Sequence, residues 1–234
     1  MKNLNIFSLI SEYDSAKSEG VLNVPNVSFV DENSSVRYLL KNIPTHNGYD
    51  YVDLGLPSGL KWATYNLGAT SPEEYGLYFA WGETTGYTTE QITSGVRSFT
   101  EDEYNAGPAA SISAGLTLQQ DAARVNLGGN WRMPTKDEYQ ELIDNCNIVW
   151  TDNYNGTGVV GSIFTSKVNE SSVFFPAAGY YDSSYWMERG ADENCWSASL
   201  DSSSTAFHLD LFCGNHYVSG GWRYMGLPVR GVFK

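Results

Sequence analysis

The sequence predicts an α+β domain in which short strands and long loops take up most of the chain. Capping boxes, in which a Ser or Thr is followed three residues later by Glu, mark helix starts at residues 71–74 and 135–138. The last third of the chain consists of short apolar runs separated by polar turns, as at residues 173–176 and 195–199. Few helices combined with many short strands are typical of the α+β class.

The helix that follows residue 135 has the clearest pattern. The apolar residues after its capping box recur at i, i+3, i+4 and i+7, on one helix face: Tyr139, Leu142, Ile143 and Cys146. A second, shorter helix is expected after Thr100, inside a long insertion at residues 84–117 that is rich in Thr, Ser, Gly and Glu. On the strand at residues 206–212, alternation places Leu209 and Leu211 on one face. His208, Asp210 and Phe212 then form its outer face.

Composition and charge exclude several classes of function. The chain has 234 residues, of which 41% are hydrophobic, so it has enough apolar surface to bury a core. Fourteen Lys and Arg against 27 Asp and Glu give a net charge of −13, so neither nucleic acid nor an anionic membrane is expected as a partner. No apolar run reaches the roughly 18 residues of a membrane span, and the N-terminus lacks a signal-peptide pattern. We therefore expect synthesis in the cytoplasm without membrane insertion.

The chain divides into two parts of different texture. Residues 1–46 lack Trp and end in a turn-rich joint, which predicts an N-terminal attachment segment too small to bury a core of its own. Residues 47–234 are rich in Gly and aromatic residues and are expected to form the folded domain.

No catalytic or cofactor motif is present in the sequence. The histidines are too few and too scattered for a zinc site: His46, His208 and His216. Cys195 and Cys213 are a candidate reactive pair, but no cationic neighbour accompanies either, so inert thiols are the favoured interpretation. Residues 152–156 alternate oxygen ligands, which suits either a calcium loop or, more economically, a hairpin turn. We predict no cofactor and no metal ligand set, and leave a structural calcium open.

The segment from residue 197 to residue 228 has an unusual composition. It contains no Lys, Glu or Gln, and is rich instead in aromatic and small polar residues. Exposed Tyr, Trp and Phe give a large contact area at low entropic cost, while Asn and Ser supply adaptable hydrogen bonds. This composition favours a recognition surface over the alternative, a Gly-rich β core with its aromatic residues packed inside.

Several motifs carry a resemblance to a known family. They lie at residues 51–59, 78–83, 128–135, 175–180 and 196–199. Over about residues 49–233 the chain resembles the paralogous surface domain of Bacteroides and Fibrobacter, whose fold is similar to C-type lectins and formylglycine-generating enzymes. The resemblance implies a C-type lectin-like domain.

Within that family, the chain resembles the variable proteins of diversity-generating retroelements in gut Bacteroidales and their phages. In such proteins adenine-directed mutagenesis rewrites codons of the C-terminal segment, and the altered side chains form the ligand-binding face. The resemblance implies that the following residues occupy such positions: His208, Asp210, Phe212, Asn215, Tyr217, Ser219 and Tyr224. This mutagenesis cannot produce a Trp codon, so Trp222 does not fit the diversified positions. Its ring is nevertheless expected to contact the same ligand. A preceding polar loop is expected to rim this face with Tyr181, Tyr185 and Trp186.

The resemblance implies a ligand-binding adhesin without enzymatic activity. Residues 22–28 are similar to N-terminal segments of phage structural proteins, which implies a virion or tail-surface location, with a possible homo-oligomer. The expected partner is a protein or glycan on a target cell surface. Two alternatives stay open: an enzyme on the formylglycine-generating scaffold that uses Cys195 and Cys213, and a structural virion or pilus subunit.

Overall fold

The computed structural model describes the backbone of residues 27–32 and 35–40, and residues 44–183, 185–212 and 215–234 in full. The chain divides into two compact units, Met1–Pro44 and Thr45–Lys234. In the first unit, β1 (Val27–Glu32) and β2 (Ser35–Leu40) form an antiparallel hairpin.

The second unit is mostly β-sheet. One four-stranded sheet has the order β14-β5-β4-β3 and so joins the beginning of the unit to its end. Its strands are β3 (Thr45–His46), β4 (Tyr49–Asp53), β5 (Lys61–Ala63) and β14 (Val232–Phe233). All of its pairs are antiparallel.

Two three-stranded sheets and one small hairpin complete the β structure of the described residues. The first sheet contains β6 (Cys146–Thr151), β7 (Gly161–Ser166) and β8 (Ser172–Pro176). The hairpin contains β9 (Tyr180–Asp182) and β10 (Tyr185–Met187). The second sheet contains β11 (Asp192–Leu200), β12 (Thr205–Phe212) and β13 (Asn215–Trp222), in that spatial order.

Four short α-helices lie between β5 and β6 in the described part of the chain. They are α1 (Thr89–Thr93), α2 (Glu101–Asn105), α3 (Ala122–Leu127) and α4 (Lys136–Asn145). Single turns of 3-10 helix occur at Pro108–Ser111 and Tyr154–Gly156. This composition confirms the predicted short strands, few helices and long loops, and the class is broadly α+β or mainly β.

The capping box predicted before α4 is present. The Glu138 N–H donates to the Thr135 hydroxyl at 3.3 Å, and the Glu138 carboxylate accepts from the Thr135 N–H at 2.8 Å. Tyr139 and Leu142 are fully buried against the second sheet, whereas the helix ends at Asn145 and Cys146 already begins β6. The helix predicted after Thr100 is confirmed as α2.

The prediction that a helix begins at residues 71–74 is wrong. The chain makes a turn there, and the Glu74 carboxylate accepts from the backbone N–H of Thr70 at 2.6 Å and from its hydroxyl at 3.1 Å. Glu74 therefore caps a turn that begins one residue before the expected N-cap, and no helix follows.

Four tryptophans have no accessible surface and lie in two core clusters, Trp62 in one and the other three in the second: Trp62, Trp81, Trp131 and Trp196. Trp81 Nε1 donates to the Ser197 carbonyl at 2.9 Å, and Trp196 Nε1 donates to the Phe79 carbonyl at 2.8 Å. The two indoles therefore fasten residues 79–81 and β11 to each other, since a buried N–H without an acceptor would be costly.

A buried arginine, Arg223, holds two loops against this core. Arg223 donates to the carbonyls of Ile112 at 3.0 Å and Ser203 at 2.9 Å, and its guanidinium lies 4.8 Å from the Trp81 ring centroid. It is 2% exposed, so these carbonyls replace the water that a guanidinium normally binds.

We expect Arg223→Leu to lower the free energy of unfolding by about 3 kcal/mol, because it strands buried carbonyls that accept from a charged donor. The matched control is Arg189→Leu, whose guanidinium is exposed above the Trp186 ring; it should cost less than about 1 kcal/mol. Urea denaturation measures both. Equal losses in the two variants would contradict the structural role given to Arg223.

Candidate ligand-binding face

The antiparallel register of β12 and β13 brings most of the predicted binding residues onto one face of the hairpin. His208 lies opposite Ser219, Asp210 opposite Tyr217, and Phe212 opposite Asn215. Opposed residues point to the same side of a sheet. We call the side that carries these residues the hairpin face: His208, Asp210, Phe212, Asn215, Tyr217 and Ser219.

The other side of the same hairpin packs on the core. Leu209 and Leu211 are fully buried and Val218 is partly buried, in a cluster that includes Tyr139 and Leu142 of α4. The predicted separation of the two leucines from the polar and aromatic side of β12 is thereby confirmed. Side chains of the hairpin face therefore contribute little to this cluster.

The hairpin face is exposed at one end and buried at the other. Phe212 is 49% exposed, Tyr217 is 55% exposed, and Asn215 is exposed as well. Asp210 and Ser219 are half-buried, and His208 is buried at 5% exposure. We call Phe212, Asn215 and Tyr217 the outer end of the hairpin face. Two aromatic rings and an amide meet solvent there side by side.

Hydrogen bonds organise the middle of the hairpin face. The Ser219 hydroxyl donates to Asp210 Oδ2 at 3.0 Å and lies 3.3 Å from His208 Nε2. Burial lowers the pKa of His208 to about 4, although the nearby Asp210 carboxylate opposes this shift. The imidazole is therefore neutral at pH 7. This network fixes the Asp210 carboxylate at the border of the exposed patch.

His208 does not reach the surface as the sequence predicted. Trp196, its cross-strand neighbour on β11, meets the imidazole edge-on at 5.7 Å, and a side chain at Gly221 would approach the ring to 3.1 Å. The imidazole fills the space between them. His208 thus lies beneath the exposed part of the hairpin face, and little of its ring is accessible.

Strand β11 extends the hairpin face with polar residues that the sequence pattern did not predict. Asp192 lies opposite Phe212 and Asn194 opposite Asp210, and both side chains are buried. Burial, together with the adjacent Glu188 carboxyl and the charge of Asp210, raises the pKa of Asp192 to about 8. In the sequence, only the alternation of Asp192, Asn194 and Trp196 could have indicated that these residues share a face. Which face that is depends on the register of β11 with β12.

The β9–β10 hairpin carries the residues predicted to rim the site. Tyr185 is 71% exposed, and Trp186 is half-buried against Tyr78 and Tyr181 at ring distances of 5.0 and 4.9 Å. Tyr181 itself is 5% exposed and also meets the Phe99 ring, so the prediction that it faces a ligand needs correction. Of the three predicted rim residues, Tyr185 is accessible, Trp186 is partly accessible and Tyr181 is not.

Trp222 and Tyr224 form a separate aromatic pair. Their rings stack at 6.4 Å with an angle of 13°, and Trp222 is 51% exposed. Because side chains alternate along β13, Trp222 points to the side opposite Tyr217. The expectation that these rings share one surface with Tyr217 is therefore wrong. They lie at the end of β13, outside the hairpin face.

The described thiols are unsuited to nucleophilic chemistry. Burial raises the pKa of Cys195 to about 12 and that of Cys146 to about 11, so both are protonated at neutral pH. Cys213, the other half of the candidate reactive pair, lies outside the described residues.

Metal-binding geometry is likewise missing from the described residues, which contain no group of three or more His, Cys, Asp or Glu side chains able to hold an ion. His46 stacks on the Phe233 ring at 4.0 Å, and His216 is half-buried on β13. At residues 152–156 the side chain of Asn153 accepts from the Gly158 N–H at 2.6 Å. That segment lies in the connection between the antiparallel strands β6 and β7, where Tyr154–Gly156 form a 3-10 turn with Asn155 at φ 50° and Gly156 at φ 78°, in place of the predicted tight hairpin turn.

Comparisons with family models, with curated proteins and with solved structures gave no match to this chain. Across the described part of the chain, no helix is both long enough and apolar enough to cross a membrane.

We expect Asp192→Asn to stabilise the protein increasingly as pH rises. The folded-state pKa of Asp192 lies near 8, above its ordinary value of 3.8, so the wild type loses stability as pH rises through that window. Asparagine resembles the protonated acid and cannot ionise. Urea denaturation at pH 5, 7 and 8.5 measures the difference, with exposed Asp152→Asn as the control. A pH-independent difference would show that Asp192 is not held protonated.

Proposed function

We propose that this protein is a non-enzymatic ligand-binding protein whose contact surface is centred on the outer end of the hairpin face. The observation that carries the proposal is the exposure of Phe212, Asn215 and Tyr217 side by side on a sheet whose reverse side is packed on the core. A folded chain that only needed a stable sheet would gain by burying these rings.

The chemistry of the surface suits a partner with both apolar and polar groups. The rings of Phe212 and Tyr217 offer contact area with few rotatable bonds, and Asn215 offers both donors and an acceptor. Asp210 is held by Ser219 through one oxygen, which leaves it able to accept from a hydroxyl or an ammonium group. A protein or a glycan on a target cell surface carries such groups.

The hairpin can also change its outer side chains without losing its fold. Strand pairing uses backbone groups, and the core side of β12 is supplied by Leu209 and Leu211. Replacements at half-exposed positions such as Phe212 and Tyr217 therefore cost little stability. This tolerance supports the retroelement interpretation, in which the domain is C-type lectin-like and serves as a variable adhesin of a phage or prophage.

The enzyme alternative receives less support from the geometry. A thiol that attacks a substrate must ionise near neutral pH and be accessible, whereas Cys195 is 3% exposed with its pKa raised by burial. The alternative of a structural subunit predicts that the outer end of the hairpin face is covered in the assembly.

A double variant, Phe212→Ser with Tyr217→Ser, tests the binding surface. Removing two aromatic anchors should weaken binding to glycan arrays and to intact Bacteroidales cells about 10- to 100-fold. The matched control, Leu118→Ser with Val149→Ser, removes two equally exposed apolar side chains elsewhere and should bind as the wild type does. The proposal fails if the control loses as much binding as the double variant, or if the double variant keeps full binding.

A second expectation concerns natural variation of the gene. Copies sequenced from one bacterial population should differ mainly at codons of exposed and half-exposed hairpin-face residues, and not at Leu209 or Leu211, because only the former leave the core unchanged. A near-copy template and a reverse transcriptase gene are expected nearby. Substitutions spread evenly over residues 45–234 would contradict diversification.

A further inference from the structure

Strand β13 is an edge strand with an unpaired outer side. It bonds only to β12 within its sheet, and at the end of that ladder the Arg223 N–H donates to the Ser204 carbonyl at 3.0 Å. Because backbone groups alternate along a strand, the odd-numbered residues of β13 face β12. His216, Val218 and Gly220 then direct both backbone groups away from the sheet. Among the described residues, nothing bonds to these groups.

Within residues 215–222, this edge lacks the sequence devices that normally prevent strands from pairing. Natural edge strands are short or carry Lys, Pro, inward charges or bulges. Residues Asn215–Trp222 run for 8 residues in continuous register with β12 and contain no Lys, Arg, Asp, Glu or Pro. The edge is therefore suited to accept another strand.

We propose that β13 pairs antiparallel with β13 of a second copy of this chain, across a twofold axis at Val218. In this register Val218 lies opposite the partner's Val218, and His216 lies opposite the partner's Gly220. All the outward backbone groups of His216, Val218 and Gly220 then find partners. Sliding one strand by two residues moves the axis to Tyr217 or to Ser219. With the axis at Tyr217, Gly220 lies opposite no residue of β13; with the axis at Ser219, the outward groups are paired but the bulky His216 lies opposite the partner's Trp222.

Side-chain sizes are complementary in that register. The bulky His216 meets the partner's Gly220, and Tyr217 meets the partner's Ser219, so each large side chain has a small one opposite it. A register centred on Tyr217 would instead oppose two tyrosines and pair fewer backbone groups. This complementarity within one strand is what favours a second copy over an unrelated extended peptide.

Charge is also compatible with self-pairing. The chain carries a net charge of −13, which opposes association in general, but β13 itself contributes no acidic residue to the contact. The Asp201 carboxylate occupies the space beside Gly220, at 2.8 Å from the position that a Cβ would take. The twofold axis brings this carboxylate next to the partner's His216, where the imidazole can donate to it.

The dimer would join the two hairpin faces into one continuous surface. Tyr217 and Ser219 lie on the hairpin face, so both copies present their outer ends on the same side of the extended sheet. A surface ligand could then be held at two points, which raises the overall affinity without new contacts to each copy.

Proline at the edge tests the pairing. His216→Pro removes an outward N–H and places a ring on the edge, while the bonds to β12 are kept, because that N–H does not point to β12. The wild type at about 100 µM should sediment with twice the 25.9 kDa of one chain, and His216→Pro with the mass of one chain. His216→Val, which keeps the N–H, should remain a dimer. A monomeric wild type or a dimeric His216→Pro would overturn the proposal.

Engineered cysteines test the register and do not depend on the proline variant folding. In a Cys213→Ser background, Val218→Cys should form a disulfide-linked dimer on mild oxidation, since opposed Cα atoms lie about 5.5 Å apart. Tyr217→Cys and Ser219→Cys should each stay uncrosslinked alone but link when mixed. Equal crosslinking of all three proteins alone would contradict the twofold register. Mass and crosslinking need no ligand, so their outcome is independent of the proposed binding function.

Discussion

The buried guanidinium of Arg230 is the constraint on which the domain depends most. It has no accessible surface, so each of its N–H groups needs an acceptor inside the protein. It donates to Asn66 Oδ1 at 2.8 Å, to the Thr64 carbonyl at 2.8 Å and to the Phe174 carbonyl at 3.0 Å. One side chain near the C-terminus thus joins the end of β5 to β8. Its guanidinium also covers the Phe175 ring at 4.3 Å, at the boundary between polar and apolar parts of the core.

The need of buried polar groups for internal partners also explains why side-chain exposure changes along the hairpin face. Near Trp196 the sheet is covered, and the polar side chains there must find internal partners or stay neutral. His208 is neutral because burial lowers its pKa, and Asp192 is neutral because burial raises its pKa. Towards Phe212 and Tyr217 the cover ends, and the side chains meet water. The exposed patch therefore stands on a buried polar layer that contains little charge at neutral pH.

Much of this arrangement was predictable from local pattern. The capping box at Thr135 and the alternation that separates Leu209 from Asp210 depend on periodicity and residue type alone. The predictions that were wrong concern side chains whose burial depends on residues distant in the sequence. Tyr181 is buried because Phe99, from the long insertion, and Trp186 cover it, and no spacing in the sequence indicates that contact.

The candidate binding site shows the same division between local pattern and distant partners. The expectation that Phe212, Asn215 and Tyr217 lie together came from the composition of residues 197–228 and from the family resemblance, and the register of β12 with β13 agrees with it. The burial of His208 required knowledge that Trp196 lies opposite it, and the role of Asp192 required the β11–β12 register. At residues 71–74 a local competitor decided the outcome, because Glu74 bonded to Thr70 instead of capping a helix.

The pairing of Asp210 with Tyr217, and of Phe212 with Asn215, has a consequence for how such a surface can evolve. Neighbours on it come from two strands, so a ligand that rests on the patch touches both members of a cross-strand couple at once. The effect of altering one member then depends on the identity of the other. Both residues of a cross-strand pair would therefore determine specificity together. The number of distinct surfaces would be the product of the numbers of side chains allowed on each strand.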